Sequence, residues 1–243
     1  KDNQLLVIDD GSPDPAVGPV LDSFAGTPGL TIMRSPRNLG YTKTINLGIG
    51  QAAGRDVILL NSDTVVTPRW LEGLRATAYG RPNVGTVTAM GDNAGAFSFP
   101  LHNQKCDKPD HLTHEEYALM MVQAAVDCAA PEVPTGSGFC MYIRRAMMDA
   151  CGTFDEEGFP RGYGEENDFC MRAMKAGWVN LISPWAFVFH IRTASFKGEK
   201  DKLVKEGVDV VMKRYPDYAR LVKAAFSGPD MTALRQATAR VTQ

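Results

Sequence analysis

Leu5-Leu-Val-Ile8, followed at once by the turn sequence Asp9-Asp-Gly-Ser-Pro-Asp14, decides the fold class. Four consecutive apolar residues are typical of a strand buried on both faces of a parallel sheet, and this run stops at residues that favour turns. Further along the chain, helical patterns and apolar runs alternate in the order 16–25, 30–33, 38–53 and 57–60. This alternation predicts an α/β fold with a mainly parallel central sheet flanked by helices.

The second half of the chain continues the alternation, with one long interruption. The patterns follow in the order 68–79 (helix), 84–90 (strand), 139–143 (strand), 144–151 (helix), 178–182 (strand) and 186–189 (strand). Residues 91–134 break the rhythm around one predicted helix at 113–130, and so long an excursion is typical of a binding loop or lid. We predict one α/β domain over 1–198, with 91–134 as an insertion, and a C-terminal helical extension over 199–243.

The composition excludes several classes of function. The 243 residues are 44% hydrophobic and 22% charged, which is ordinary for a globular protein with a substantial core. A net charge of −2 provides no overall positive field, so a nucleic-acid partner is not expected. All apolar runs are too short to span a membrane, and five cysteines without Cys-x-x-Cys spacing indicate neither disulfides nor a zinc site. We therefore expect a protein of the reducing cytoplasm.

An acidic cluster follows two glycines in Gly162-Tyr-Gly-Glu-Glu-Asn-Asp168, just before a helical run. The helix macrodipole favours ionised carboxylates there, whereas their mutual repulsion raises the proton affinity of one of them. Glu165, Glu166 and Asp168 are therefore candidates for a general base that accepts a hydroxyl proton. The structural alternative is helix capping with an Asp168–Arg172 ion pair, although the glycines indicate that something approaches the backbone closely.

Two further candidates lie where apolar strands end. Asp63 follows the strand at 57–60 in Asn61-Ser-Asp63, and His190 ends the run Phe187-Val-Phe-His190. A hard divalent cation prefers carboxylate oxygen and keeps positions for substrate phosphate, and an imidazole suits ions such as manganese. Asp63 and His190 are therefore candidate metal ligands. The alternatives are an aspartate that caps the next turn and a histidine whose hydrogen bonds are satisfied in the core.

Two polar turns are candidate ligand-binding segments. Asp9 and Asp10 lie at the carboxyl end of the first strand, where side chains of open α/β sheets meet the edge of a base or ribose. Arg37-Asn38-Leu39-Gly40 precedes a predicted helix, whose N-terminus suits an anionic phosphate. Each stretch alone is also ordinary chemistry for a turn or a helix cap.

In this order and at these spacings, the motifs resemble those of the family 2 glycosyltransferases, which have the nucleotide-sugar-binding GT-A fold. The resemblance covers about residues 4–196. The stretches that carry it are Val7-Ile-Asp-Asp-Gly-Ser12, Arg37-Asn-Leu-Gly40, Asn61-Ser-Asp63, Gly136-Ser-Gly138, Arg144-Arg145, Gly152-Thr-Phe-Asp155, Glu165-Glu-Asn-Asp168 and His190. The family's first strand and helix have no counterpart in this sequence, so we expect further segments or domains in the full-length chain.

The resemblance implies a role for each candidate residue. The implied nucleotide-binding residues are Asp9, Asp10, Arg37, Asn38, Gly40 and Ser62. Asp63 and His190 would hold Mn²⁺ or Mg²⁺. Glu166 would be the catalytic base, in place of the aspartate that is usual in the family, with Asp168 as the alternative base. The implied acceptor-binding residues are Gly136, Gly138 and Glu165.

The implied reaction is inverting transfer of a sugar from a nucleoside-diphosphate donor to a hydroxyl of a glycan or lipid-linked acceptor, in bacterial surface polysaccharide synthesis. Residues 91–134 would close over the acceptor. Such an enzyme would act in the cytoplasm, including as a peripheral protein at the inner face of the membrane. Two alternatives stay open. A nucleotidyltransferase usually has a Gly-rich loop bearing Arg or Lys, which this sequence lacks, and a non-catalytic nucleotide-sugar-binding module would belong to a larger protein.

Overall fold

The computed structural model describes residues 3–191 and 197–242. The strands are β1 (Leu5–Asp9), β2 (Leu30–Arg34), β3 (Val57–Leu60), β4 (Thr64–Val65), β5 (Val84–Gly91), β6 (Glu132–Val133), β7 (Cys140–Ile143) and β8 (Val179–His190). The helices are α1 (Val17–Ser23), α2 (Tyr41–Gln51), α3 (Trp70–Tyr79), α4 (His114–Ala124), α5 (Arg145–Cys151), α6 (Glu165–Lys175), α7 (Lys197–Arg214), α8 (Tyr218–Phe226) and α9 (Pro229–Ala239). The predicted alternation of strands and helices is confirmed.

Within the described residues, the strands form two sheets. β1 and β2 pair in parallel, and the larger sheet has the order β3-β7-β5-β8-β4, with β6 also paired to β8. β3, β5 and β8 run in one direction, because β7 lies antiparallel between β3 and β5, and β5 pairs parallel with β8. The short strands β4 and β6 pair antiparallel with β8. The α/β class is confirmed; the strand predicted at 139–143 is β7, which lies antiparallel, and the short strands β4 and β6 were not predicted.

β8 is one strand, where the sequence pattern predicts two. Its register against β5 shifts between the pairs Ala89–Ser183 and Met90–Phe187, so that Pro184-Trp-Ala186 bulges out of the ladder. Proline has no N–H group to donate to a ladder, which explains why the strand pattern is interrupted there. The strand nevertheless continues to His190 and brings that residue opposite β4.

The core lies on both faces of the larger sheet, and β5 is buried along its whole length. Successive residues of β7 alternate between the two faces, as strand geometry requires. Tyr142 faces the cluster that α3 and α4 cover, which includes Tyr117. Ile143 faces the cluster that α2, α5 and α6 cover, which includes Phe169. The strand ends that carry Asp63 and His190 therefore project from a sheet that is covered on both faces.

Several side chains of residues 91–134, the segment predicted as an insertion or lid, are buried in this core. Phe97, Phe99 and Tyr117 are buried in the cluster around β5. α4 begins at Thr113, whose side chain and backbone form a capping box with Glu116. Opening the segment as a unit would expose aromatic side chains that bury about 150–250 Å² each. The segment therefore supports the sheet.

The C-terminal helices pack onto the same core, so the predicted extension over 199–243 is joined to the α/β domain. Met231 and Leu234 of α9 are buried in the cluster around β5. Arg235 donates hydrogen bonds to the carbonyl oxygens of Ala96 and Ser98, both at 2.8 Å, and of Pro100 at 3.1 Å. Among the helices of the described ranges, we find none that combines the length and the apolar character needed to cross a bilayer.

Candidate active site

Asp63 and His190 meet at one edge of the larger sheet. The turn after β3 carries Asn61-Ser-Asp63, and the pairing of β4 with β8 places Thr64 opposite His190. As a result, His190 Nε2 lies 3.2 Å from Asp63 Oδ1 and 3.4 Å from Asn61 Nδ2. Ser62, between Asn61 and Asp63 in the sequence, is exposed. The two metal ligands predicted from distant parts of the sequence are thus neighbours.

The imidazole of His190 is held from several sides. Its ring stacks on Phe139 with a centroid distance of 5.4 Å, and its backbone N–H donates to Asp92 Oδ1 at 2.7 Å. Burial raises the pKa of the Asp92 carboxyl, against the opposing effect of backbone N–H groups that donate to it. Nδ1 of His190 is buried without a hydrogen-bond partner. Sequence reasoning missed Asp92, although a carboxylate directly after a buried strand is the same signal that identified Asp63.

These residues fit a divalent cation that is shared with a bound ligand. A cation with ligand bonds of about 2.1 Å can contact both Asp63 Oδ1 and His190 Nε2 at their present separation. One carboxylate and one imidazole suit manganese better than calcium. The described part of the chain contains no group of three or more His, Cys, Asp or Glu side chains that could hold an ion alone. The remaining positions would therefore go to water and to phosphate oxygens.

The acidic cluster begins α6, after a turn with unusual backbone conformation. Gly162, Tyr163 and Gly164 have φ values of 90°, 63° and 122° in succession. A Cβ on Gly164 would lie 2.6 Å from the Phe159 ring and 3.1 Å from the carbonyl oxygen of Gly207 on α7. Another group does approach the backbone closely at these glycines, as the sequence predicts. That group is another part of the protein's own chain.

Glu166 projects from the first turn of α6 and accepts a hydrogen bond from the backbone N–H of Gly138. A Cβ on Gly138 would collide with Glu166 Oε1 and would lie 2.5 Å from Tyr41 Oη. Burial, and secondly the negative charge of Glu165, raise the pKa of Glu166, and the Gly138 N–H opposes this effect. Burial likewise raises the pKa of Glu165, whose Oε2 is buried without a partner. The pair therefore has the raised proton affinity that the sequence predicts for a base.

Asp168, the candidate alternative base, has a different environment from Glu166. The residue is 1% exposed. Its Oδ2 accepts a hydrogen bond from Arg172 Nε at 2.9 Å, and its Oδ1 accepts from Arg214 Nη1 and Tyr215 Oη, both at 2.9 Å. A buried carboxylate that accepts from two guanidinium groups and a phenol is held as a structural ion-pair partner, away from solvent. The Asp168–Arg172 pair considered as the structural alternative is confirmed.

The two polar turns near the N-terminus lie against each other. Asp10 accepts hydrogen bonds from the backbone N–H groups of Leu39 at 2.8 Å and Gly40 at 2.9 Å. Asp10 therefore ties the end of β1 to the start of α2, in addition to any contact with a base. Asp9 Oδ1 accepts from Ser12 N at 2.9 Å, as in an ordinary turn. Arg37 and Asn38 lie exposed at the junction.

The loop Gly136-Ser-Gly138 and the adjacent Phe139 connect the glutamate to the metal candidates. Gly136 N donates to Cys170 Sγ of α6, and Ser137 N donates to Thr88 Oγ1 of β5, both at 3.1 Å. Gly138 then contacts Glu166, and Phe139, the next residue, stacks on His190. Because these two adjacent residues contact both groups, Glu166 and His190 lie near each other at this end of the sheet, and the space between them is called the crevice below.

Arg144 and Arg145 lie at the opposite end of the sheet from this crevice. Arg144 packs over the Tyr79 and Trp178 rings, and the backbone N–H of Arg145 donates to Asp56 Oδ1 at 2.8 Å. Asp56 immediately precedes β3, whereas the crevice lies beyond its other end. These contacts stabilise the start of β3 and the end of β7.

Comparison with known proteins gives relatives along most of the chain. A Mycobacterium tuberculosis N-acetylglucosaminyl-diphospho-decaprenol L-rhamnosyltransferase is 25% identical over 214 residues, which cover 79% of this chain and 67% of the relative. A Sinorhizobium fredii N-acetylglucosaminyltransferase is 29% identical over 190 residues, covering 75% and 44%. Another S. fredii protein, "Uncharacterized protein y4gI", is 26% identical over 234 residues, covering 87% of this chain and 24% of the relative. The chain thus spans from about a quarter to two thirds of these relatives' lengths.

Two solved structures share the fold. The crystal structure of GalNAc-T7 with UDP, GalNAc and Mn²⁺ matches with a TM-score of 0.63 at 16% identity, over 97% of this chain and 48% of that chain. The mannosyltransferase PcManGT from Pyrobaculum calidifontis, in complex with GDP-Man and Mn²⁺, matches with a TM-score of 0.57 at 14% identity, over 98% and 64%. At such identities the likeness shows the GT-A glycosyltransferase fold alone.

The family profile described as Glycosyl transferase family 2 matches residues 1–152, which include the two polar turns, Asp63 and the loop at 136–138. That match covers more than half of the 243 residues. The chain belongs to glycosyl transferase family 2.

Proposed function

We propose that the chain is an inverting, metal-dependent glycosyltransferase that moves a sugar from a nucleoside-diphosphate donor to an acceptor hydroxyl. One observation carries the proposal. Gly138 contacts Glu166, and the adjacent Phe139 contacts His190, which lies 3.2 Å from Asp63. A base with raised proton affinity and a candidate cation site thus contact two consecutive residues of one loop, and in this proposal they line one crevice. In sugar transfer, the base and the cation must lie close enough to contact the same bound donor and acceptor at one time.

Glu166 is the general base of this proposal. Its carboxylate takes the proton of the acceptor hydroxyl, whose oxygen forms a new bond to the anomeric carbon as the bond to the nucleoside diphosphate breaks. A proton acceptor works best when its pKa lies near the operating pH, and burial together with the charge of Glu165 raises the pKa of Glu166 in that direction. The Gly138 N–H holds the carboxylate in one orientation.

Asp63 and His190 hold the cation in this proposal. A divalent ion there supplies positive charge that offsets the charge developing on the leaving diphosphate. The imidazole must be neutral to act as a ligand. Its ring is oriented by stacking on Phe139, and its backbone is fixed by Asp92. GalNAc-T7 and PcManGT, whose structures contain Mn²⁺ with UDP or GDP-Man, support a cation of this class.

The donor nucleotide would lie over the joined turns at 9–12 and 37–40. Asp10 shapes this surface through the backbone of Leu39 and Gly40, and Arg37 and Asn38 are exposed there for contact with ribose or phosphate. Ser62, exposed beside Asp63, would contact the donor next to the diphosphate. On the acceptor side, Gly136, Gly138 and Glu165 would form the wall around the base.

The acceptor class is proposed from the relatives. The M. tuberculosis relative is named for a decaprenol-diphosphate-linked substrate, which supports a glycan or lipid-linked acceptor in cell-envelope polysaccharide synthesis. Such a substrate would bring the protein to the cytoplasmic face of the membrane as a peripheral protein.

The test is donor turnover by the purified chain with Mn²⁺ and a panel of UDP-, GDP- and dTDP-sugars, measured as release of nucleoside diphosphate. We expect turnover with at least one donor and its loss in Glu166→Gln, by about 10²- to 10⁴-fold. Glu115→Gln, at an exposed position of α4, is the matched control. Nucleotide binding without turnover in the wild type would indicate a binding module. Pyrophosphate release from a nucleoside triphosphate would indicate a nucleotidyltransferase.

A further inference from the structure

Arg214, near the end of α7, contacts both sides of the segment that leads to the glutamates. Its Nη1 donates to Asp155 Oδ2 at 2.7 Å and to Asp168 Oδ1 at 2.9 Å. The same guanidinium lies over the Phe159 ring, 5.3 Å from the centroid. One side chain therefore joins the loop before α6 to the first turns of α6. Arg214 lies outside the residues that the family profile matches.

The second element of this contact is the backbone of α7. A Cβ on Gly207 would collide with the carbonyl oxygen of Tyr163, so the helix and the turn touch through their main chains. Tyr163 has a φ of 63°, which residues other than glycine rarely adopt. Backbone of this kind persists only where surrounding structure holds it. α7 lies directly against the residue that needs such support.

A small apolar cluster completes the contact. Phe159, Met171, Val211 and Tyr215 are buried together, and they come from the loop, from α6, from α7 and from the residue that follows α7. Tyr215 also donates to the buried Asp168, two residues beyond Glu166. The position of the glutamate pair along the crevice is thus set by α7 as well as by the sheet.

From these contacts we infer that Arg214 is a positioning residue, which holds the loop at 155–164 and the start of α6 so that Glu166 faces Gly138. The inference rests on the proposed function, in which Glu166 is the base. Arg214 does not touch the substrate in this account, because both of its polar contacts with the catalytic segment are with the carboxylates of Asp155 and Asp168. Arg214 therefore affects the reaction by fixing the position of Glu166.

The test compares Arg214→Gln and Arg214→Lys with Arg220→Gln. Arg220 is a matched control on α8, where it is exposed and forms an ion pair with the exposed Asp217. Amide hydrogen exchange of residues 158–166 is expected to be at least about 10-fold faster in Arg214→Gln, with exchange in β5 unchanged. The kcat for transfer should fall by at least about 10-fold while the donor KM changes less than about 2-fold. Arg214→Lys, which retains the positive charge, should restore part of the slow exchange at 158–166 and part of the kcat.

Two results would overturn the inference. One is unchanged exchange at 158–166 in Arg214→Gln. The other is a uniform rise in exchange that includes β5, because that pattern shows general destabilisation rather than positioning. If the wild type transfers no sugar from any donor, the proposed function fails, and the exchange comparison still decides whether Arg214 holds this segment.

Discussion

Glu166 accepts a hydrogen bond from the backbone N–H of Gly138, and a Cβ at Gly138 would occupy the space of the Glu166 carboxylate oxygen. The same Cβ would lie 2.5 Å from Tyr41 Oη. Burial, and secondly the charge of Glu166, raise the pKa of Tyr41 well above its ordinary value, so the phenol stays protonated beside the carboxylate. Residue 138 is therefore a glycine because the base and a phenol meet over its backbone.

Gly138→Ala should displace Glu166 while leaving the fold intact. Displacement by about 1 Å can reduce the rate by about 100-fold, and we expect a loss of transfer of at least about 10-fold, with nucleotide binding retained. Gly50→Ala is the matched control, because Gly50 lies in α2 with nothing within 4 Å of an added Cβ. Steady-state kinetics and nucleotide titration measure the two effects. Full activity in Gly138→Ala would contradict the proposed contact.

The stability of Glu166→Gln should depend on pH in a defined direction. The folded pKa of Glu166 is raised by burial and by Glu165, so the folded state binds more protons than the unfolded state between the ordinary carboxyl pKa and the raised one. The free energy of unfolding of the wild type therefore falls as the pH rises through this window. Glu166→Gln, whose side chain stays neutral, should not show this fall. We expect Glu166→Gln to be more stable at pH 8, by on the order of 1 kcal/mol.

Denaturant unfolding at pH 5 and pH 8 measures this effect, and the gain should shrink toward pH 5 because the wild-type carboxyl is then largely neutral. Glu115→Gln should show no comparable trend, since Glu115 is exposed. A Glu166→Gln variant that is less stable than the wild type at pH 8 would show that the carboxylate is not penalised in the folded protein.

Asp63→Ala and His190→Ala should weaken manganese binding in the presence of a nucleoside diphosphate. Each removes one of the two protein ligands proposed for the ion, and we expect affinity to fall by at least about 10-fold, the lower end of effects measured around metal sites. Calorimetric titration with Mn²⁺ checks this expectation, with the exposed Asp127→Ala as control. If both variants bind the ion as tightly as the wild type, the cation site is elsewhere.

Asp10→Ala should destabilise the junction of β1 with α2. The carboxylate accepts from two backbone N–H groups, and loss of a comparable helix cap costs about 0.5–2 kcal/mol. Because the change acts through the loop at 37–40, binding of UDP, GDP and dTDP should weaken by similar factors. Thermal unfolding and nucleotide titrations measure the two effects. A selective loss for one nucleotide, with stability unchanged, would instead assign Asp10 to base recognition.

Local sequence patterns predicted the strand ends well. The apolar runs that precede or include Asp10, Asp63 and His190 mark where strands end. Such runs are visible in the sequence, because an apolar residue type indicates burial without knowledge of its tertiary partners. Asp92 carries the same signal, since it follows the buried strand β5 directly. The aromatic residues of 91–134 indicated burial more strongly than its glycines and prolines indicated a loop.

Partners distant in sequence could not be predicted. Asp168 has the residue type and position of a base, but Arg214 and Tyr215, at the end of α7 and just after it, donate hydrogen bonds to its Oδ1. The glycines before α6 correctly indicated a close approach, while the identity of the approaching group, α7, depends on tertiary packing. The link from Glu166 to His190 through Gly138 and Phe139 likewise appears only once the chain is folded.

The most direct test of the central claim is a crystal structure of the chain with Mn²⁺ and a nucleoside diphosphate, with the ion located by its anomalous signal. The account predicts one ion within about 2.2 Å of both Asp63 and His190, in contact with the diphosphate and in the crevice that Glu166 lines. An ion bound away from Asp63 and His190, or a diphosphate on a face that Glu166 does not reach, would contradict it.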